Sequence, residues 1–128
     1  MARAVAEGAR TIQGIEVEVK YYATPEELTS FDAIVIGIPT YHHDMTVDMK
    51  KLFEEAAVKN TNLTDKIGAA FGSYGWSGEA PRLVIEIMKN KFGMDVSESP
   101  LLIKYSPGES ELERCRQFGK EIAERLMA

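Results

Sequence analysis

Two short stretches hold most of the residues that could grip a small molecule. Pro39-Thr40-Tyr41-His42-His43-Asp44 combines a rigid turn residue, a hydroxyl, an aromatic face and the only two histidines of the 128-residue chain. Gly72-Ser73-Tyr74-Gly75-Trp76-Ser77-Gly78 carries three glycines in seven residues and the only tryptophan. Glycine lets a backbone approach a ligand closely, and Tyr74 and Trp76 add flat aromatic area. Such a pair of loops suits a flat polar ring: stacking supplies contact area and exposed amides read the ring's edges. Metal chemistry is not expected. His42 and His43 are adjacent, so they point to different sides of an extended segment, and no carboxylate cluster with ligand spacing accompanies them.

The elements that must position these stretches follow from periodicity. Ala2, Val5, Ala6, Ala9 and Ile12 repeat at helical spacing, with Gly14 placed to end that helix. Ile15 to Tyr21 alternates strictly, which predicts a half-buried strand over Ile15–Tyr22. Thr24-Pro25-Glu26-Glu27 reads as a helix cap, a proline at the first helical position and acids in the first turn. Ala33-Ile34-Val35-Ile36-Gly37-Ile38 is a continuous apolar run, suited to a parallel strand buried on both faces.

Met45, Met49, Leu52, Phe53, Ala56 and Ala57 form the apolar stripe of the next helix, with Asp44 as its expected cap. Lys66–Phe71 reads as a strand, and Leu83, Val84, Ile87 and Met88 as a helix stopped by Gly93. Met94–Tyr105 is extended, interrupted at Ser97-Glu98-Ser99-Pro100. Ser110-Glu111-Leu112-Glu113 is a capping box for a last helix, with Leu112, Cys115, Ile122, Ala123 and Leu126 inward. Glu79 and Arg82 read as a surface pair at helical spacing.

This alternation predicts an α/β fold with a parallel sheet and helices on both faces. In such sheets ligands bind outside the carboxyl ends of the strands. The stretches 39–44 and 72–78 both follow strands, so they are the expected site.

Composition narrows the function classes. With 45% hydrophobic and 27% charged residues, the chain has ordinary globular usage and the length of one domain, 1–128. Fifteen basic against twenty acidic residues give a net charge of -5, which argues against nucleic acid as a general partner. No apolar stretch approaches the ~18–20 residues that span a bilayer. Glu7 interrupts any signal-like start, so a cytoplasmic protein is expected. One cysteine, Cys115, permits no internal disulfide and reads as a buried core thiol.

The two loops and their strands resemble a known family. Phe31-Asp32-Ala33-Ile34-Val35-Ile36-Gly37-Ile38-Pro39-Thr40-Tyr41 is similar to the third strand and following loop of flavodoxin-like proteins. Phe71-Gly72-Ser73-Tyr74-Gly75-Trp76-Ser77-Gly78-Glu79-Ala80 resembles the fourth strand and loop of the flavodoxin domain of flavodiiron (A-type) flavoproteins. Met1–Gly8 and Glu111–Leu126 resemble that domain's first and last helices. The resemblance implies a three-layer α/β/α flavodoxin-like fold that holds flavin mononucleotide (FMN) and passes electrons to redox protein partners. By position, Pro39, Thr40, Tyr41 and His42 would line one side of the flavin ring. Ser73, Tyr74, Gly75, Trp76 and Gly78 would line the other and bond its pyrimidine edge. No side chain is implied as a catalytic acid or nucleophile.

One departure from the family carries consequences. There, a first strand and a loop rich in Ser, Thr and Gly precede the first helix and wrap the flavin phosphate. Nothing here precedes that helix, a shortfall of about 15–20 residues, enough for a strand of ~5–6 and its loop. The domain is therefore expected to be N-terminally incomplete, its first and internal strand missing and its phosphate site absent. Ile15–Tyr22 and Ala33–Ile38 would lose their shared neighbour. Either they close up on each other, or a homodimer covers the exposed sheet edge. Two other readings compete: a flavodoxin-like NAD(P)H:quinone oxidoreductase, whose first ring loop also begins Pro-Thr, and a degenerate interaction module that binds no flavin.

Overall fold

A strand of small and apolar residues, β2 (Ile67–Tyr74), is the axis around which the other elements assemble; its first six residues are all buried. The computed structural model describes residues 1–38, 45–74, 78–104 and 107–128. On one edge β2 pairs in parallel with β1 (Ala33–Gly37), from Ala33 opposite Ile67 to Gly37 opposite Phe71. On the other edge it pairs in parallel with β3 (Asp95–Val96) and β4 (Leu101–Lys104). These two short strands occupy one lane, broken at Ser97–Pro100 as expected.

Helices cover both faces. α3 (Val47–Val58) and α4 (Glu79–Asn90) lie on one face. There Phe53, Ala56, Val84, Ile85 and Met88 join Ile34, Ile36 and Ala70 in the largest core cluster. α1 (Ala2–Arg10) and α5 (Glu109–Met127) cover the other, where Val5, Cys115 and Ile103 surround Phe71. The Phe71 ring meets Phe118 edge-on at 6.5 Å. Each buried apolar side chain of this size contributes roughly 1.5–3 kcal/mol. This is the expected three-layer parallel architecture.

α1 sits against α5 with almost no space between backbones. A Cβ on Gly8 would stand 1.7 Å from the Arg116 carbonyl oxygen, and one on Gly119 would stand 1.9 Å from that of Val5. Only glycine fits at either place.

Several boundaries differ from expectation. α1 ends at Arg10 rather than near Gly14, which lies in the turn beyond with φ 90°. α3 is capped by Thr46, whose hydroxyl accepts from the Met49 N–H at 3.3 Å, and not by Asp44. Asp44 itself lies outside the described residues. α5 is capped by Gly108 without a side-chain bond, because Glu109 is already helical and Ser110 turns to the Glu111 carboxylate instead. By contrast α2 (Pro25–Leu28) is capped by Thr24 as its sequence foretells, and the Glu27 carboxylate accepts from the Thr24 N–H to complete a capping box.

The largest correction concerns Ile15–Tyr22. Among the described residues it is in no strand and does not close up on β1. Alternation marks out a face but supplies no partner for the backbone N–H and C=O groups. The segment is held by Arg10, which donates to the Val17 carbonyl at 3.1 Å, and by an ion pair between Lys20 and Glu27. Tyr21 and Tyr22 are 90% and 79% exposed. β1 is consequently buried on one face only: Ile34 and Ile36 are covered, while Ala33 and Val35 are half-buried.

Candidate functional site

All pairings in the sheet are parallel, so the carboxyl ends of β1, β2 and β4 share one edge. Both chemistry-bearing stretches leave the sheet there. Stretch 39–44 follows Ile38, which extends β1 by donating its N–H to the Phe71 carbonyl at 3.0 Å. β2 runs past the end of β1, and Tyr74 reaches the level of Lys104 at the end of β4.

The strand is longer than its sequence implies. Gly72, Ser73 and Tyr74, read as loop, form its last three residues. Ser73 and Tyr74 are half-buried at the tip, and Gly72 is buried. Gly78 begins α4 and packs against the same tip: a Cβ there would lie 3.1 Å from Leu102 Cδ1 and 3.5 Å from Tyr74 Cδ1. The structure thus brings Ser73, Tyr74 and Gly78 together at one edge. Pro39, Thr40, Tyr41 and His42, with His43, lie outside the described residues, as do Gly75 and Trp76.

Two participants escaped the sequence. Leu102 of β4 forms the apolar side of the Tyr74–Gly78 junction; its signal was only an apolar residue in a strand. Glu79, read as half of a surface pair, is half-buried with its Oε2 shielded from solvent. Its position in the first turn of α4, one residue after Gly78, was the available clue.

The helices that begin at this edge carry acids in their first turns. Asp48 lies in the first turn of α3, Glu79 in that of α4, and Glu109 and Glu111 in that of α5. These carboxylates already complement the positive ends of the helix dipoles. The Ser110 hydroxyl, donating to Glu111, holds that carboxyl below its ordinary range. Arg116 gathers Glu7, Glu113 and Glu109 at 3.0, 2.9 and 3.1 Å, and these bonds raise its pKa. Alone among the described helices, α1 has no acid in its first turn.

Cys115 is fully buried, and burial raises its thiol pKa, so it is a core residue and not a nucleophile. The described residues contain no group of three or more His, Cys, Asp or Glu able to hold a metal ion. No described helix is long and apolar enough to cross a membrane.

Comparison with known proteins agrees with this architecture. Residues 1–119 match the Flavodoxin family. The chain is 35% identical to type A flavoprotein fprA of Rhodobacter capsulatus over 98% of its own length and 30% of that protein's. It is 28% identical to rubredoxin-oxygen oxidoreductase of Megalodesulfovibrio gigas, over its whole length and 32% of that protein's. It therefore spans about a third of these relatives. Among solved structures, a flavodoxin from the domain Archaea superimposes with a TM-score of 0.87 at 36% identity, covering 98% of this chain and 87% of that one. With a parallel sheet, helices on both faces and a family match over nearly its whole length, this chain belongs to the flavodoxin family.

Proposed function

We propose that this chain is an FMN-binding electron-transfer domain that holds the flavin chiefly by its ring. The observation that carries this reading is the shared edge: the adjacent parallel strands β1 and β2 end at one edge of the sheet, the aromatic stretch 39–44 follows the first and the glycine-bearing stretch 72–78 closes the second, with Tyr74 half-buried at the strand tip. The fit to a flat ring is good on the described side. Tyr74 offers a face, the Ser73 hydroxyl and backbone offer polar groups, and Leu102 with Gly78 closes the apolar side. Pro39, Thr40, Tyr41 and His42 would flank the opposite side, and Gly75 and Trp76 would complete the near one.

The bound flavin supplies the redox chemistry, taking up electrons from one redox protein and passing them to another. The chain's own residues bind, orient and shield. Aromatic faces supply contact area. The carboxylates of Glu79, Glu109 and Glu111 make the edge hostile to added negative charge, which disfavours a reduced, anionic ring. No side chain needs to accept or donate a proton.

The phosphate is the weaker grip. The helices that begin at the carboxyl edge carry their own carboxylates, and α1 offers only the dipole of an acid-free first turn. That interaction contributes about 0.3–1 kcal/mol. A cytoplasmic location and electron-carrying protein partners accord with this reading.

Titration with FMN tests it. Stoichiometric yellow protein with quenched Trp76 fluorescence is the expected result; protein that stays colourless in excess FMN rejects it. A second reading, an interaction module with no flavin, draws on the outer edge of β1, unpaired among the described residues, and on the exposed rings of Tyr21 and Tyr22. The same edge could seat a second copy of the chain. Sedimentation that depends on protein concentration, and is lost on Val35→Pro, would support that homodimer.

A further inference from the structure

Gly72 does not face the ligand side of its stretch. It is buried in β2, opposite Leu102 of β4. A Cβ built on it would stand 2.1 Å from the Ile38 carbonyl oxygen and 3.1 Å from Pro81 Cγ. Ile38 is the last described residue before 39–44. Pro81, almost fully buried, lies in the first turn of α4, directly after stretch 75–78. The missing side chain is therefore the place where the anchors of both ring-flanking stretches meet.

We propose that Gly72 is a positioning residue: its bare Cα sets the spacing between the Ile38 end of β1 and the first turn of α4, and hence between the two sides of the ring site. The inference rests on the flavin reading for its functional consequence, but the seating of Ile38 can be measured without any flavin. A methyl group at 72 cannot be accommodated by rotating a flexible side chain, because its nearest neighbour is backbone. The Ile38 carbonyl or β2 itself must shift, and the Ile38 N–H bond to the Phe71 carbonyl loosens with it. Gly68 provides the control. It lies two turns of the pleat earlier in the same strand, and its Cβ would meet the ends of flexible side chains, Met88 Sδ at 3.0 Å and Met94 Cε at 3.1 Å. Both substitutions burden the same core face, but only one touches the anchors.

The experiment compares the 128-residue protein with Gly72→Ala and Gly68→Ala, reading amide exchange at Ile38 without flavin, FMN affinity and thermal stability. The expected result for Gly72→Ala is exchange at Ile38 accelerated on the order of tenfold and FMN affinity reduced on the order of tenfold. Gly68→Ala should leave both within about twofold after its change in global stability is taken into account. Unchanged Ile38 exchange in Gly72→Ala overturns the proposal. So does equal loss of affinity in both variants, which would make the effect one of general stability. If the unsubstituted protein binds no FMN, the flavin reading fails while Ile38 exchange still decides the seating. If Gly72→Ala does not fold, Pro81→Ala opens the same junction without a clash. Weaker FMN binding with Ile38 exchange faster than in Gly68→Ala then supports the proposal, and unchanged values overturn it.

Discussion

β1 and β2 are neighbours of similar apolar character, yet they are built to different degrees. β2 is paired along both edges and buried on both faces for six residues. Among the described residues β1 is paired only toward β2. Asp32 and Ile38 bond across to β2, so the alternate residues Ala33, Val35 and Gly37 turn their N–H and C=O groups to the outer edge. Ile15–Tyr22, which joins no strand, is tethered by exposed side-chain contacts. The strand that ends in Ser73 and Tyr74 is thus framed along both edges, while β1 is held along one. The described residues proposed to meet the flavin ring, Ser73, Tyr74 and Gly78, sit on the framed side.

Mutations should expose this asymmetry. Phe71→Ala, in β2, removes a buried ring with its Phe118 contact and should cost about 3–5 kcal/mol by urea denaturation. A loss below about 1 kcal/mol would mean that β2 is no better framed than β1. Val35→Ala, on the half-buried face of β1, should cost less, about 1–2 kcal/mol in the same assay.

Hydrogen exchange gives the sharper contrast within one strand. The outward amides of Val35 and Gly37 should exchange on the order of tenfold faster than that of Ile36. Equal protection would mean that the outer edge is covered in solution, as a homodimer would cover it. Tyr21→Ser with Tyr22→Ser should change stability by no more than about 0.5 kcal/mol, since both rings are exposed.

The smallest effect is electrostatic. The hydrogen bond from Lys20 holds the Glu27 carboxyl below its ordinary value. Its contribution is therefore present above that ordinary value and is lost as pH falls through the lowered one. The raised pKa of Lys20 matters only at the alkaline end, as pH rises above its model-compound range. NMR signals of residues 15–20 should shift below pH 4.5 together with Glu27 titration. Both groups are exposed, so global stability should hardly respond.

Much of this arrangement was legible in the residues. The apolar run at 33–38, the Thr24 cap with its following proline, the inward face of the last helix and the break at Ser97–Pro100 are local signals, and local structure obeys them. Ile15–Tyr22 was misread because a strand is defined by its neighbour, and period-two alternation says nothing about one. Ser110 does not cap the last helix because the helix begins one residue earlier, at Glu109, with Gly108 before it. At the site, Gly72 reads as part of a loop in the sequence and is a buried strand residue in the fold. Its space is filled by the Ile38 carbonyl, a contact between residues 34 positions apart that no local pattern encodes. Glu79 was hidden for the same reason: helical spacing to Arg82 was visible, and its partial burial was not.

Parallel titration of the 128-residue protein with FMN and with riboflavin, the same ring without its phosphate, tests the central claim most directly. Ring-led binding predicts that both quench Trp76 and that FMN is favoured by no more than about fivefold, the span that a helix dipole alone provides. FMN bound more than about a hundredfold tighter than riboflavin would place the main grip on the phosphate, and no binding of either would contradict the flavin site itself.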